Sequence, residues 1–257
     1  MFDLSIVIPT YNRAASLASC LTATQNAARC AVEIVVVDGA STDETPTALA
    51  AARESLGDRL QVIPEPRREG FVRAANKGFR AARGRYLMWL NDDARPLPGA
   101  LERAIEQLEF SPHTVGMVAL FHAAHGTRNV AFEAQHLGRS FHVLHVRGTL
   151  YANFGMARRA LFERLGYFDE RYFLHGADPD FSLKVWHEGL SVVPAFGALV
   201  DHDELPDERR EQDRDRGAAD NAKLFEKWDL PDRNPAINDF DQTRPCTLRG
   251  LRAARAA

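Results

Sequence analysis

Cysteine is scarce in this chain of 257 residues: Cys20, Cys30 and Cys246 are the whole supply, an odd number with no CxxC spacing. A disulfide framework or a thiolate zinc site has nothing to build on, and a reducing cytosol fits best. Surplus positive charge is missing too, since 32 Lys and Arg stand against 35 Asp and Glu, for a formal net charge of −3. Such a balance creates no broad phosphate-attracting field, which argues against a nucleic-acid partner. Long apolar runs are also absent: nothing approaches the roughly 18 consecutive apolar residues of a membrane-spanning helix. The opening "MFDLSIVIPTYNR" carries an acid at Asp3 and goes directly into a strand pattern, unlike the basic start and apolar core of a signal peptide. The first strand is followed by "PTYNRAAS", where a nucleotidyltransferase would carry a Gly-rich, basic phosphate loop. That class therefore ranks last.

What is present reads as alternating strand and helix. "LSIVIP" (4–9) and "VEIVVVD" (32–38) are short apolar runs rich in β-branched residues, the pattern of strands covered on both faces in a parallel sheet. After Asp38, Asp43 is placed to cap a helix whose first turn tolerates Pro46, and Leu49, Arg53 and Leu56 carry it to a stop at Gly57. "LQVIP" (60–64) predicts a third strand, "FVRAANKGFRAA" (71–82) a third helix and "RYLMWL" (85–90) a fourth strand. A helix near 101–109, a strand near 115–120 and alternating segments such as "FHVLHV" follow. The pairs His122/His125 and His142/His145 have HxxH spacing, but on a strand that spacing points to opposite faces, so an acceptor-side or structural role is expected. Trp89 and Trp186 read as core. "DERREQDRDRGAADNAKLFEKW" reads as a charged helix with a solvated outer face. The tail from Pro231 has the character of a surface wrap, and it ends in the basic "LRGLRAARAA". The length suits one large α/β domain or two small ones, and no repeat or linker divides it.

The most informative stretch is "YLMWLNDDARPLPG", where a strand ends in the adjacent carboxylates Asp92 and Asp93. Neighbouring carboxylates repel unless a cation or several donors lie between them. A solvated turn is the bland explanation, given Pro96 and Pro98 just beyond. However, Thr10 to Asn12, Asp38 and Asn91 to Asp93 all sit at strand C-termini, the edge where open α/β sheets bind ligands. Three polar clusters on one edge favour a site.

Taken in order, "SIVIPTYNR", "VVVDGASTDET", "EGFVRAANKGFRAARGRYLMWLNDDARP" and "GMARRALFERLGYFDERYFLHGADPDFSLKVWHEG" resemble the family 2 glycosyltransferases, over roughly residues 4–202. The resemblance implies a GT-A fold: an α/β, Rossmann-like, mostly parallel central sheet flanked by helices, with a smaller acceptor-side region. A single domain over residues 1–205 is expected, with a nucleotide-sugar half at about 1–98 and an acceptor half at about 99–205, before a charged helix and tail over 206–257. The family pattern assigns nucleotide contacts to Thr10, Tyr11 and Asn12, and base recognition to Asp38. Asn76 would also approach the donor. Asp92 would touch the ribose region and Asp93 would bind a divalent metal, Mn²⁺ or Mg²⁺, for which hard oxygen ligands are suited. His202 would complete the metal shell. Asp178, in "GADPDFSLKVW", falls where the family has its catalytic base, with Asp180 as its companion. Asp followed by Pro179 is also a good helix start.

An inverting, metal-dependent transfer from a UDP- or dTDP-sugar to a glycan or glycolipid hydroxyl is thus implied. It would take place in the cytoplasm or at the inner face of the membrane, with peripheral attachment left open. Three departures bear on it: Asn91 replaces the first acid of many DxD motifs, Gly39 and Ala40 stand where Asp or Asn and then Gly are common, and Ala177 replaces the Glu of the ED pair. These keep a second reading alive, a nucleotide-sugar-binding module without turnover. Residues 121–146 and the charged helix are the candidates for acceptor contact.

Overall fold

The computed structural model describes residues 2–123, 129–203 and 213–230. The first half winds as expected: β1 (Leu4–Thr10), α1 (Ala14–Ala27), β2 (Val32–Asp38), α2 (Thr45–Leu56), β3 (Leu60–Pro64), α3 (Phe71–Ala81) and β4 (Tyr86–Trp89). β1 pairs in parallel with both β2 and β4, and β2 in parallel with β3. The chain steps outward from β1 to β3, then returns through α3 to place β4 on the other side of β1. A crevice opens where the winding reverses, at the carboxyl ends of β1 and β4.

Both faces of these strands are covered, which is why their apolar runs are continuous rather than alternating. Val7, Val35, Leu87 and Trp89 point into one core with α3, and Ile6, Ile8, Ile34, Val36 and Met88 into the other. The N-cap of α2 is Glu44 rather than the expected Asp43, which acts from one residue before it. The Asp43 carboxylate accepts the Thr45 N–H at 3.0 Å and the Ala14 N–H at 3.2 Å, tying the starts of α1 and α2 together.

The second half adds β5 (Ala94–Pro96), α4 (Ala100–Phe110), β6 (Val115–His122), β7 (Val130–His136), β8 (Arg139–Val146), β9 (Thr149–Tyr151), β10 (Gly155–Arg158), α5 (Arg159–Leu165), α6 (Ala177–His187), β11 (Ser191–His202) and α7 (Arg214–Lys227). The main sheet runs β3-β2-β1-β4-β10-β6-β11-β5, and β7, β8 and β9 branch from β6. β10 is antiparallel to β4 and β6, whereas β11 is parallel to β6. The architecture is therefore mixed α/β with a mostly parallel sheet flanked by helices.

Two further local expectations are corrected. α6 starts at Ala177 after Gly176, whose φ of 80° suits glycine, so Asp178 sits inside the first turn rather than capping it. The charged C-terminal helix is not simply a solvated face: Gly217, Asp220 and Leu224 of α7 are buried. A helix rich in charge can still dock when its few small and apolar residues share one side. His125, Cys246 and the tail from Pro231 lie outside the described residues.

Candidate active site

Strand register assembles the site. Thr10 ends β1 opposite Asp38 of β2, and the Leu90 N–H bonds to the Val7 carbonyl, so the chain leaves β4 beside Thr10. The Thr10 hydroxyl donates to Asp92 Oδ2 at 2.8 Å. β11 runs antiparallel to β5 with His202 opposite Ala94, which brings the imidazole beside Asp93. Alternation along the strand sends Asp201 and Asp203 away from His202. Arg95 holds both: its guanidinium meets the two oxygens of Asp203 at 2.5 Å each and Asp201 at 3.3 Å. Arg139 adds a second fork on Asp201, at 2.5 and 2.9 Å. His202 is thus set by clamped neighbours on either side of it.

Asp92 and Asp93 are both buried. The cation between them is the Arg13 guanidinium, with Nη1 2.8 Å from Asp92 Oδ1 and 2.9 Å from Asp93 Oδ2. Asp93 Oδ1 lies 3.2 Å from His202 Nε2. Burial alone would push the Asp93 carboxyl up, but the hydrogen bond and charge of His202, together with Arg13, outweigh it and hold it well below the ordinary range. Asn91 does not face outward as a failed ligand; its Nδ2 is 3.3 Å from His202 Nε2. His122 packs against the same imidazole, with ring centroids 6.2 Å apart. Burial first, then the neighbouring His202 and His142, lowers its pKa to about 3, so it is a neutral neighbour behind His202.

Asp178 lines the same cavity, which has a volume of about 470 Å³. Burial pushes its carboxyl up to about 7, against 3.8 for an ordinary Asp. Its loop is fixed by α7: Asp220 Oδ2 accepts the backbone N–H groups of Phe173, Leu174 and His175 at 2.9, 2.8 and 3.2 Å. Asp180 turns away from the cavity, accepting from Trp228 Nε1 at 2.7 Å and pairing with Lys227 Nζ at 2.6 Å. It anchors α6 to α7, so its expected partnership with Asp178 is indirect.

Of the residues singled out from sequence, Thr10, Tyr11, Asp92, Asp93, Asp178 and His202 line the cavity. Asp38 stands behind its neighbour Gly39, with Oδ1 accepting the Ser41 N–H at 3.1 Å. Asn12 is a correction: it is exposed, and its Oδ1 accepts the Thr42 N–H at 2.7 Å, so it braces the loop from outside. Asn76 is another. It is fully buried on the core side of α3, where its amide donates to the Phe168 carbonyl at 2.9 Å and accepts the Phe168 N–H at 3.0 Å. Trp89 is core, as expected, but its edge also reaches the cavity.

Arg13, Arg68 and Asp213 went unrecognised. Arg68 pairs with Asp213 and lies over the Tyr11 ring, 4.7 Å from its centroid. Arg13 stood in plain view inside "PTYNR"; the other two come from distant segments with no local signal.

Asp93 offers a hard carboxylate oxygen and His202 a borderline imidazole nitrogen, a mixed pair that suits Mn²⁺ better than Mg²⁺. Neighbouring ligands of an octahedral Mg²⁺, each about 2.1 Å from it, stand roughly 3 Å apart, close to the 3.2 Å between Asp93 Oδ1 and His202 Nε2. No group of three or more metal-ligating side chains occurs among the described residues. Two protein donors with the remainder from phosphate and water is the usual arrangement for such ions.

A mostly parallel sheet with acids at the carboxyl ends of β2 and β4, facing the half-buried Asp178 carboxyl on α6, defines the GT-A class of glycosyltransferase fold. Residues 5–166 match the family model described as Glycosyl transferase family 2, and the chain belongs to that family. It is 29% identical over 169 residues to the uncharacterized glycosyltransferase YwdF of Bacillus subtilis, covering 65% of this chain and 62% of that one. It is 34% identical over 107 residues to the succinoglycan biosynthesis protein ExoO of Rhizobium meliloti, covering 42% of this chain and 30% of that one. The mannosyltransferase PcManGT of Pyrobaculum calidifontis, solved with GDP-Man and Mn²⁺, superposes with a TM-score of 0.68 at 22% identity, covering all of this chain and 70% of that one. Among the described residues, no helix is long and apolar enough to cross a membrane.

Proposed function

We propose that this protein is a metal-dependent inverting glycosyltransferase that moves a sugar from a UDP- or dTDP-sugar to a hydroxyl of a glycan or glycolipid. The observation that carries the reading is the pairing, in one cavity, of an acid and imidazole cluster at the strand ends with the carboxyl of Asp178, whose pKa lies near neutrality. Thr10, Tyr11 and Asp92 would hold the nucleoside side of the donor, and Asp38 would read the base through a loop contact. Asp93 and His202 would hold Mn²⁺ or Mg²⁺, which neutralises charge on the leaving diphosphate. Asp178 would accept the acceptor's hydroxyl proton as that oxygen bonds to the anomeric carbon, while the bond to the diphosphate breaks on the opposite face. A base with a pKa near 7 is well matched to that task. We place the reaction in the cytoplasm or at the inner face of the membrane.

Calorimetric titration of UDP, dTDP and GDP, with Mn²⁺ and then with excess chelator, tests the donor site in wild type and Asp93→Ala. One nucleotide should bind best and should weaken at least about tenfold on loss of metal or of Asp93. Absence of binding by all three under both conditions would sink the donor assignment.

A further inference from the structure

The cation that satisfies the carboxylate pair belongs to the chain. Arg13, Asp92 and Asp93 meet with side-chain exposures of only 7%, 3% and 1%. Thr10 occupies the other oxygen of Asp92, and His202 faces the other oxygen of Asp93. An arginine stays charged at any relevant pH. A second cation joining Asp93 to His202 would therefore sit within a few ångströms of a fixed positive charge, in a buried site where such repulsion is weakly screened. Arg13 itself lines the cavity, on the loop leading into α1. Its long side chain can leave the acids without moving the backbone, which is held by the Arg13 N–H bond to Thr45 Oγ1 at 3.3 Å.

We propose that Arg13 is a resident counter-ion of Asp92 and Asp93, which a divalent metal must displace and which then turns to the diphosphate oxygens of the donor. The inference rests on the metal and diphosphate reading above. It gives the loading step a definite character. Bare metal binds weakly because it competes with the guanidinium. Metal arriving with a diphosphate binds well, because the displaced guanidinium gains new anionic partners in the same cavity. By linkage, the metal strengthens nucleotide binding by the same factor. A guanidinium that served only to hold the two acids in shape would have the opposite effect on metal, since its removal would disorder the ligands.

Free Mn²⁺ can be followed by its EPR signal while full-length wild-type, Arg13→Gln, Arg13→Met and Arg13→Lys proteins are titrated, each also in an Asp93→Asn background. Circular dichroism selects the folded variants, and two neutral replacements guard against one misfolding. The neutral variants should bind bare Mn²⁺ at least about tenfold more tightly than wild type, the expected gain from removing an adjacent buried charge. Arg13→Lys should stay within about threefold of wild type, because the charge is retained. Unchanged or weaker Mn²⁺ binding by folded neutral variants would overturn the proposal while leaving the metal site standing. If no protein binds Mn²⁺, or if binding survives Asp93→Asn, the metal reading itself falls and the role of Arg13 falls with it.

Discussion

Replacing Asp178 by Asn keeps the shape of the side chain and removes its charge, and the two consequences should point in opposite directions. Burial holds the carboxyl at about 7 instead of 3.8. A shift of about three units is worth on the order of 4 kcal/mol between protonation states. Asp178 keeps some exposure to the cavity, so about 1–3 kcal/mol is the working figure. Between pH 4 and 7 the native protein holds a proton that the unfolded chain has released. Wild-type stability must therefore fall as pH rises through that window, by this amount in full above pH 7. Asp178→Asn has no such proton to lose. Its melting temperature should match that of wild type near pH 4 and exceed it by roughly 2–12 °C at pH 8, at about 2–4 °C per kcal/mol for a chain of this size. Sugar transfer by the same variant should drop by about 100- to 10,000-fold, and wild-type activity should rise with pH through about 7 and then level as the base ionises. Differential scanning fluorimetry from pH 4 to 8, run beside a product assay, reads both. A melting-temperature gap that ignores pH would refute the buried-carboxyl argument, and retained transfer with an unshifted pH profile would refute the base.

Three further outcomes follow from the packing around the site. Asp220→Ala strips three backbone N–H groups of their shared acceptor; denaturant titration should show a loss of about 2–4 kcal/mol, and hydrogen exchange at residues 173–175 should accelerate. Gly70→Ala meets a φ of 92° and would place Cβ 2.6 Å from the Phe173 carbonyl oxygen. It should cost about 2–4 kcal/mol by the same titration and pry the loop before α6 from the nucleotide side. Arg95→Met frees Asp203 and leaves Asp201 to Arg139 alone, loosening the flanks of His202. Mn²⁺ affinity measured by EPR should fall about 10- to 100-fold, as when a supporting shell is lost, with a smaller change in stability.

Much of this protein is legible in its sequence because the controlling physics is local. The runs "LSIVIP" and "VEIVVVD" can be satisfied only by strands covered on both faces, and their polar C-terminal residues then fall on one edge of a parallel sheet. That is enough to bring Thr10, Asp92 and Asp93 together, and the structure does so. The ordered motifs likewise pointed to Asp178 and His202, which line the same cavity. Where local reasoning failed, the deciding contact was distant. Asn76 is polar and near a helix start, but Phe168, 92 residues further on, absorbs its amide in the core. The charged helix resembles a solvated one until Asp220 is seen to hold a loop 45–47 residues upstream.

The carboxylate pair Asp92 and Asp93 shows the division best. From sequence alone, two adjacent carboxylates require a positive partner, since their repulsion is a property of the pair itself. Which cation answers is not encoded at those positions. Tertiary structure brings Arg13, 79 residues away from Asp92, to within 2.8 Å. Chain connectivity sets the need, while only the closure of β1 against β4 decides what meets it, because the energy of an ion pair depends on separation in space and on the solvent excluded around it.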